Sequence, residues 1–147
     1  MENEQLSADR SIVDSLKLLD VQLGRAMSHA LRHDEVTASQ AGVLLFLAQR
    51  RGVATSNRAI EEHFNISNPA VSAMVKRLEA KGFVSTSVDP TDRRCHCVSI
   101  TDEGYAAMVS ADRKVKALDD VIFDGFSPED EARARELVTR MLANLQR

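Results

Sequence analysis

The sequence has few aromatic residues and no tryptophan, so we expect its core to be built from aliphatic side chains. Aromatic residues make up 4% of the 147 positions, against 44% for hydrophobic residues as a whole. No uninterrupted apolar run approaches the roughly 20 residues of a membrane-spanning helix. The opening residues Met1-Glu2-Asn3-Glu4 are unlike a secretory signal. We therefore expect a cytoplasmic protein of one globular domain, with no membrane association.

Motifs that carry enzyme chemistry are also missing. The sequence has no glycine-rich phosphate loop, no nucleophile elbow and no supported pair of carboxylates. Its four histidines, His29, His33, His63 and His96, form no catalytic constellation. His29 and His33 have an i, i+4 spacing that can hold a metal, although the dipole at the end of a helix also favours histidine there. We therefore expect no enzyme activity, no cofactor and, as the favoured reading, no metal.

Two cysteines are too few for a disulfide framework. Cys95 and Cys97 alternate along a predicted strand and should share one of its faces. Two uses remain open for them, sensing of oxidants and packing as small core residues.

The stretch from Ser67 to Leu78 predicts a helix with one apolar face. Four residues fall at i, i+3, i+4 and i+7: Val71, Met74, Val75 and Leu78. Ser67 can cap this helix, and Pro69 lies early enough that its missing N–H loses no intrahelical bond. The opposite face carries small or hydrogen-bonding side chains: Asn68, Ala70, Ser72, Ala73 and Lys76. Such a face suits close approach to base edges in a DNA groove.

A short helix precedes this one, from Ser56, its expected cap, to Phe64. Asn65 follows, and asparagine tolerates the left-handed backbone conformation that a tight turn requires. Two short helices joined in this way indicate a helix-turn-helix. An ordinary helical hairpin is the alternative.

A β-hairpin is predicted directly after the second helix, which ends at Lys81-Gly82. Its strands are Phe83–Val88 and Cys95–Ile100, and the turn Asp89–Arg94 places two adjacent arginines near its tip. A hairpin in this position is a wing, and arginine at a wing tip can enter a narrow minor groove, where the negative potential is enhanced. Thr101–Gly104 then begins another helix, favoured by its acidic first turn.

The run from Ile60 to Gly104 resembles the winged helix-turn-helix of the MarR family of bacterial transcription regulators. The matching residues are Ile66-Ser67, Val71-Ser72, Leu78-Glu79, Lys81-Gly82, Asp89-Pro90-Thr91-Asp92-Arg93-Arg94, and Ile100-Thr101 followed by Gly104. The helical flanks match in pattern and length, so the likeness covers nearly the whole chain. It implies that the second helix enters the major groove, that Arg93 enters the minor groove, and that Asp92 and Arg94 pair to fix the wing tip.

The expected DNA contacts lie on three segments. On the recognition helix they are Ser67, Asn68, Pro69, Ala70, Ser72, Ala73, Lys76 and Arg77; on the wing, Asp92, Arg93 and Arg94; against the DNA backbone, Ser56 and Arg58. The sequence departs from the family pattern at a few positions. Glu61 replaces a small residue, which predicts looser packing or an outward side chain, and Ala73 replaces a longer polar reader. Thr86 and Ser87 stand where arginine is frequent, which removes phosphate-binding charge.

The net charge of −3 conceals an uneven distribution. Residues 50–100 carry eight Lys and Arg against five Asp and Glu, while the rest of the chain carries 11 against 17. A basic module on acidic flanks is what a DNA-binding domain would show.

The flanking segments predict long amphipathic helices. One runs from Asn3 to Leu31, a capping box at Thr37–Gln40 begins the next, and Ser127-Pro128 begins the last. The small central module could hardly cover both terminal apolar faces, so a second copy of the chain should do so. The expected interface residues are Ile12, Leu16, Leu19, Leu137, Met141, Leu142 and Leu145. The alternative is a monomer whose terminal helices pack on each other.

These observations predict a mainly α fold with a small β-hairpin wing. We expect one MarR-like domain over residues 1–147, with dimerisation helices at 1–35 and 105–147 and a winged helix-turn-helix lobe at 37–104. The function we expect is sequence-specific binding of double-stranded DNA at a palindromic operator by a homodimeric repressor, since repression needs only occupancy of a promoter. The resemblance implies a small-molecule effector, often aromatic or phenolic. The alternatives are a redox- or metal-responsive regulator and a winged helix used for protein docking.

Overall fold

The structure, a computed structural model, describes residues 10–147 and divides them into two compact units, residues 10–115 and Lys116–Arg147. The part of the predicted first helix that covers residues 3–9 lies outside the described residues. The single MarR-like domain over residues 1–147 stays a prediction.

The first unit contains five helices and three short strands among its described residues. The helices are α1 (Ile12–Ala30), α2 (Ala38–Gln49), α3 (Asn57–Phe64), α4 (Asn68–Ala80) and α5 (Asp102–Lys116), whose last residue begins the second unit. The strands are β1 (Thr55–Ser56), β2 (Val84–Val88) and β3 (His96–Ile100). The second unit contains α6 (Leu118–Ile122) and α7 (Pro128–Leu145). The mainly α fold with a small wing is confirmed.

Side-chain caps fix where the helices begin, as the sequence predicts. The hydroxyls of Ser56, Ser67 and Ser127 each accept a hydrogen bond from a first-turn backbone N–H. Thr37 completes a capping box with Gln40. One boundary differs: α1 begins at Ile12 and not at residue 3, because residues 10 and 11 are non-helical and the Ser11 hydroxyl caps the helix.

The wing belongs to a three-stranded antiparallel sheet with the order β1-β3-β2. Thr86 and Thr55 lie on either side of Val98 in the register. The sequence predicted β2 and β3 but missed β1, because a two-residue strand is too short to show an alternating pattern. The wing strands β2 and β3 each begin one residue later than predicted, at Val84 and His96.

The core of the first unit lies between α2, α3, α4, α5 and the sheet. Its largest side chains that are less than 2% exposed are Leu44, Ile60, Leu78, Val43, Val71, Val98 and Thr55. All but Thr55 are aliphatic, as the scarcity of aromatic residues predicts. None of the helices in residues 10–147 is long and apolar enough to cross a membrane.

A close backbone approach joins the start of α5 to the start of the wing. The Thr101 backbone N–H donates to the Phe83 carbonyl at 3.0 Å, and the Thr101 hydroxyl donates to the Gly82 carbonyl at 2.6 Å. A β-carbon at Gly104 would lie 2.0 Å from the Phe83 carbonyl oxygen. Only glycine allows α5 to pack this closely against the chain that leads into β2.

We expect Gly104→Ala to lower the free energy of unfolding by about 3 kcal/mol or more, because the added methyl group meets backbone that cannot move aside. This loss exceeds the roughly 1 kcal/mol that alanine gains over glycine within a helix. Urea unfolding at fixed protein concentration measures it. Gly42→Ala is the matched control, because its nearest neighbour would be a Phe64 ring atom at 3.6 Å. Equal stability of the two variants would show that the approach is not tight.

Candidate nucleic-acid interface

The turn before α4 and the apolar face of α4 together set the direction of the recognition helix. Asn65 adopts the left-handed conformation, with φ 51° and ψ 49°, as the sequence predicts. The inward face of α4 is buried through Val71, Val75 and Leu78. Because the helix is anchored on that face, the small polar face opposite is turned outward. Of the eight residues predicted to contact DNA on this helix, seven are exposed and Ser72 is half-buried.

Three polar side chains are connected at the start of α4. The Asn68 amide Nδ2 donates to Glu61 Oε1 of α3, and the Ser72 hydroxyl donates to Asn68 Oδ1 at 3.5 Å. Glu61 is half-buried, so this departure from the family pattern does not simply turn its side chain outward. Sequence reasoning missed the contact, because the seven-residue separation of Glu61 and Asn68 has meaning only once the turn between them is built.

The wing tip is held by aspartate side chains that accept from nearby donors. Asp89 accepts from the Thr91 hydroxyl at 2.7 Å and from the Thr91 backbone N–H at 2.8 Å, and these bonds lower the pKa of Asp89. Asp92 accepts from the backbone N–H of Arg94 at 3.0 Å. The expected pairing of Asp92 and Arg94 is therefore present, but it uses the backbone of Arg94 and not its guanidinium. The side chains of both Arg93 and Arg94 remain exposed.

The two cysteines occupy different environments, which corrects the expectation that they share a strand face. Cys95 lies in the turn before β3 and is exposed, whereas Cys97 lies within β3 and is buried. The Cys95 thiol donates to Asp92 Oδ2 at 3.4 Å. This hydrogen bond and the negative charge of Asp92 raise the pKa of Cys95. A raised pKa lowers the thiolate fraction, which is opposite to what a reactive cysteine requires.

A cleft of about 260 Å³ separates α4 from the wing strands. It is lined by Asn57, Ser72, Val75, Lys76, Glu79, Thr86 and His96. Thr86 is held in place by its hydrogen bond to Glu79 at 2.9 Å. The Asn57 Oδ1 atom is buried and accepts no hydrogen bond within the described part of the chain. No sequence pattern predicts this group, since its members come from α3, α4 and both wing strands.

The basic residues of the segment 50–100 fall into two groups, those with a partner inside the protein and those without one among residues 10–147. Arg58 pairs with Glu62 at 2.9 Å, which raises the pKa of Arg58, and Arg51 pairs with Asp102. Lys81 donates to the Glu35 carbonyl and to Gln40 Oε1, which ties the end of α4 to the start of α2. Arg51, Arg58 and Lys81 are therefore already engaged by partners within the protein. Ser56, which is predicted to contact the DNA backbone, is also engaged within the protein, since its hydroxyl caps α3.

Most basic side chains of the segment 50–100 that have no ion pair among residues 10–147 lie on two neighbouring elements. Lys76 and Arg77 lie on α4, and Arg93 and Arg94 lie at the wing tip. Arg50 has no acidic partner either, but it is held over the Phe46 ring and donates to Thr55. The uncompensated positive charge of the segment therefore lies largely on the recognition helix and wing.

The residues predicted to form a dimer interface are all exposed in the single chain. On α1 they are Ile12, Leu16 and Leu19, with exposed fractions of 62%, 39% and 48%. On α7 they are Leu137, Met141, Leu142 and Leu145. Neither helix has a buried residue. Within residues 10–147, no group of three or more His, Cys, Asp or Glu side chains is placed to hold a metal ion.

We expect the Cys95 thiol to react slowly with iodoacetamide at neutral pH, because its raised pKa leaves little thiolate. Asp92→Asn should speed the reaction, since the amide oxygen can still accept from Arg94 but carries no charge. Mass spectrometry of the labelled protein measures the rate. Cys95→Ser is the control, and the label that remains in it reports the buried Cys97. If Asp92→Asn leaves the Cys95 rate unchanged, the carboxylate does not control this thiol.

Comparison with known proteins shows a family that this chain resembles. Residues 35–94 match the model described as MarR family. The chain is 32% identical over 101 residues to the transcriptional repressor MdtR of Bacillus subtilis, covering 67% of this chain and 64% of that protein. It is 29% identical over 84 residues to a putative transcriptional regulatory protein for the hcr operon of Thauera aromatica, covering 57% and 49%. The chain thus spans about half the length of several curated relatives that it matches.

A solved structure shows the same fold. A mutant MarR from E. coli complexed with operator DNA aligns with a TM-score of 0.76 and 20% identity, covering 89% of this chain and 93% of that one. The family model covers the helix-turn-helix and the wing turn, and the structural match extends this likeness over most of the chain. On these grounds the chain is similar to the MarR family over residues 35–94, and its fold is that of MarR.

Proposed function

We propose that this protein is a homodimeric transcriptional repressor that binds double-stranded DNA at a palindromic operator. The observation that carries the proposal is the surface formed by α4 and the wing tip. There, small polar side chains are exposed beside four basic side chains that have no ion pair among the described residues. A surface of this kind favours a polyanion with readable edges, which is what a DNA duplex presents.

The docking mode follows from the shape of the two elements. An α-helix fits the major groove of B-DNA, and the small residues Ala70 and Ala73 let the backbone of α4 approach the bases. Arg93 at the wing tip would reach the adjacent minor groove. The likeness in fold to MarR complexed with operator DNA supports this mode, and the likeness to the repressor MdtR supports repression.

Dimerisation is supported by the apolar side chains that the single chain leaves exposed. No residue from Lys116 to Arg147 is buried, although α7 carries a stripe of large apolar residues. Helical stability in proteins comes mostly from packing of an apolar face, so these helices need a partner surface. A second copy of the chain would supply it and would hold two recognition helices about 34–36 Å apart, one turn of DNA.

A cavity in the first unit supports the proposal that the protein responds to a small-molecule effector. It has a volume of about 90 Å³ and is lined by Met27, Ala38, Ala41, Gly42, Leu45, Met108, Asp112 and Val115. Ligand pockets for drug-sized molecules are usually about 300–1,000 Å³. An effector in this cavity would therefore be small or would separate α1, α2 and α5. It would act by binding more tightly to a state whose lobes are misplaced for the operator.

The alternatives are less well supported. A redox-responsive regulator would need a reactive cysteine, but the raised pKa of Cys95 and the burial of Cys97 disfavour one. A protein-docking winged helix would need an apolar recognition face, whereas Asn68 and Lys76 are polar and exposed.

We expect Arg93→Ala to weaken binding to the protein's own upstream DNA by roughly tenfold and to reduce the salt dependence by about one phosphate-equivalent. It should also flatten any preference for A·T pairs beside the half-sites, since arginine favours a narrow minor groove. Gel-shift titrations at several salt concentrations measure both effects. Arg113→Ala removes the same charge from α5 and should change neither. Unaltered affinity in Arg93→Ala would remove the wing from the proposed interface.

We expect Leu142→Glu to convert a dimer into monomers, because it places a charge in the apolar face of α7. Sedimentation velocity at micromolar concentration measures the change. Val53→Glu is the matched control, because Val53 is 59% exposed and lies outside the terminal helices. A parent protein that sediments as a stable monomer would contradict the proposed dimer.

A further inference from the structure

Glu61 holds the first side chain of the recognition helix in one orientation. The Asn68 side chain is exposed at the N-terminal end of α4, and its Nδ2 donates to Glu61 Oε1. The Ser72 hydroxyl, one helical turn further along, donates to Asn68 Oδ1 at 3.5 Å. Both ends of the amide are therefore held by side chains of the same helix-turn-helix.

The chemistry of the carboxylate decides which end of the amide points where. An ionised carboxylate only accepts hydrogen bonds, whereas an amide group has a donating and an accepting end. Glu61 therefore selects the orientation in which Nδ2, and not Oδ1, faces it. One Nδ2 hydrogen and one lone pair on Oδ1 remain for an outside partner. A glutamine at position 61 would lack this selectivity, because it can donate as well as accept.

A fixed donor beside a fixed acceptor distinguishes adenine from guanine. In the major groove adenine presents the N7 acceptor and the N6 donor, which an asparagine amide can satisfy together. Guanine presents acceptors at both N7 and O6, so the Asn68 oxygen would face another acceptor. We propose that Glu61 is a positioning residue that makes Asn68 read adenine, an inference that rests on the proposed DNA-binding function.

The charge of Glu61 has a second effect that makes the proposal testable. A carboxylate beside a DNA-binding surface repels phosphates and lowers affinity for every sequence. Removing the charge should therefore raise general affinity, whereas removing the orientation should lower discrimination. Glu62 provides the comparison, because it carries the same charge one residue along but binds Arg58 at 2.9 Å instead of Asn68.

The experiment is selection of duplexes from a random-sequence DNA library by the parent protein, Glu61→Gln and Glu62→Gln. The parent should select adenine at one position in each half-site. Glu61→Gln should reduce its preference for adenine over guanine there by roughly fivefold or more, while binding of unselected duplex stays equal or rises. Glu62→Gln should also bind unselected duplex at least as well, but it should keep the full preference for adenine.

A modified base locates the contact. Replacement of the selected adenine by 7-deazaadenine removes the N7 acceptor and should weaken binding by the parent and by Glu62→Gln. Asn68→Ala should bind both duplexes equally and should show no adenine preference at that position. Circular dichroism verifies that each variant is folded.

The outcomes separate two levels of failure. A parent protein that selects no duplex would overturn the proposed function and this inference with it. A parent that selects duplexes while Glu61→Gln retains the full adenine preference would overturn the inference alone. The same holds if Asn68→Ala still selects adenine, or if the parent prefers another base there.

Discussion

The geometry of the helix-turn-helix depends on the burial of one face of α4. Val71, Val75 and Leu78 are 0%, 5% and 0% exposed, and they fix the rotation of α4 about its own axis. Full burial of such side chains contributes roughly 1.5–3 kcal/mol each, so rotating the helix to hide its polar face would expose them at a large cost. The outward direction of Asn68, Ala70 and Ala73 is therefore a consequence of the core. A surface built on a fixed helix needs little reorganisation when it meets a partner.

Charge is also divided between residues that bind within the protein and residues that remain available at the surface. Several basic residues of the module have partners inside the protein, such as Lys81 on Gln40 and Arg51 on Asp102. Those on the recognition helix and at the wing tip have no acidic partner among residues 10–147. Exposed ion pairs contribute little to stability, about 0–1 kcal/mol. Their main effect here is on where unpaired positive charge remains. Within the segment 50–100 they neutralise Arg51 and Arg58, whereas Lys76, Arg77, Arg93 and Arg94 have no ion pair among residues 10–147.

Local signals were enough to predict most of the fold. The serine caps, the Asn65 turn and the i, i+4 spacing of apolar residues act within a few residues, and the structure confirms them. Contacts between distant segments could not be read in this way. The two-residue strand β1 exists only through its pairing with β3, and the Glu61–Asn68 contact crosses a turn. Most of the predicted site residues are exposed, and their contacts with DNA and with a second copy of the chain stay predictions.

The link between Lys81, Glu35 and Gln40 restricts how this module can respond to events elsewhere in the chain. It fastens the end of the recognition helix to the first turn of α2, while the Thr101 bonds fasten the base of the wing to α5. With both reading elements clamped to the same scaffold, internal reshaping of the module is disfavoured. A signal that reaches the module should therefore move the recognition helix and the wing together as one rigid body. In the proposed dimer this motion would change the spacing between the two recognition helices.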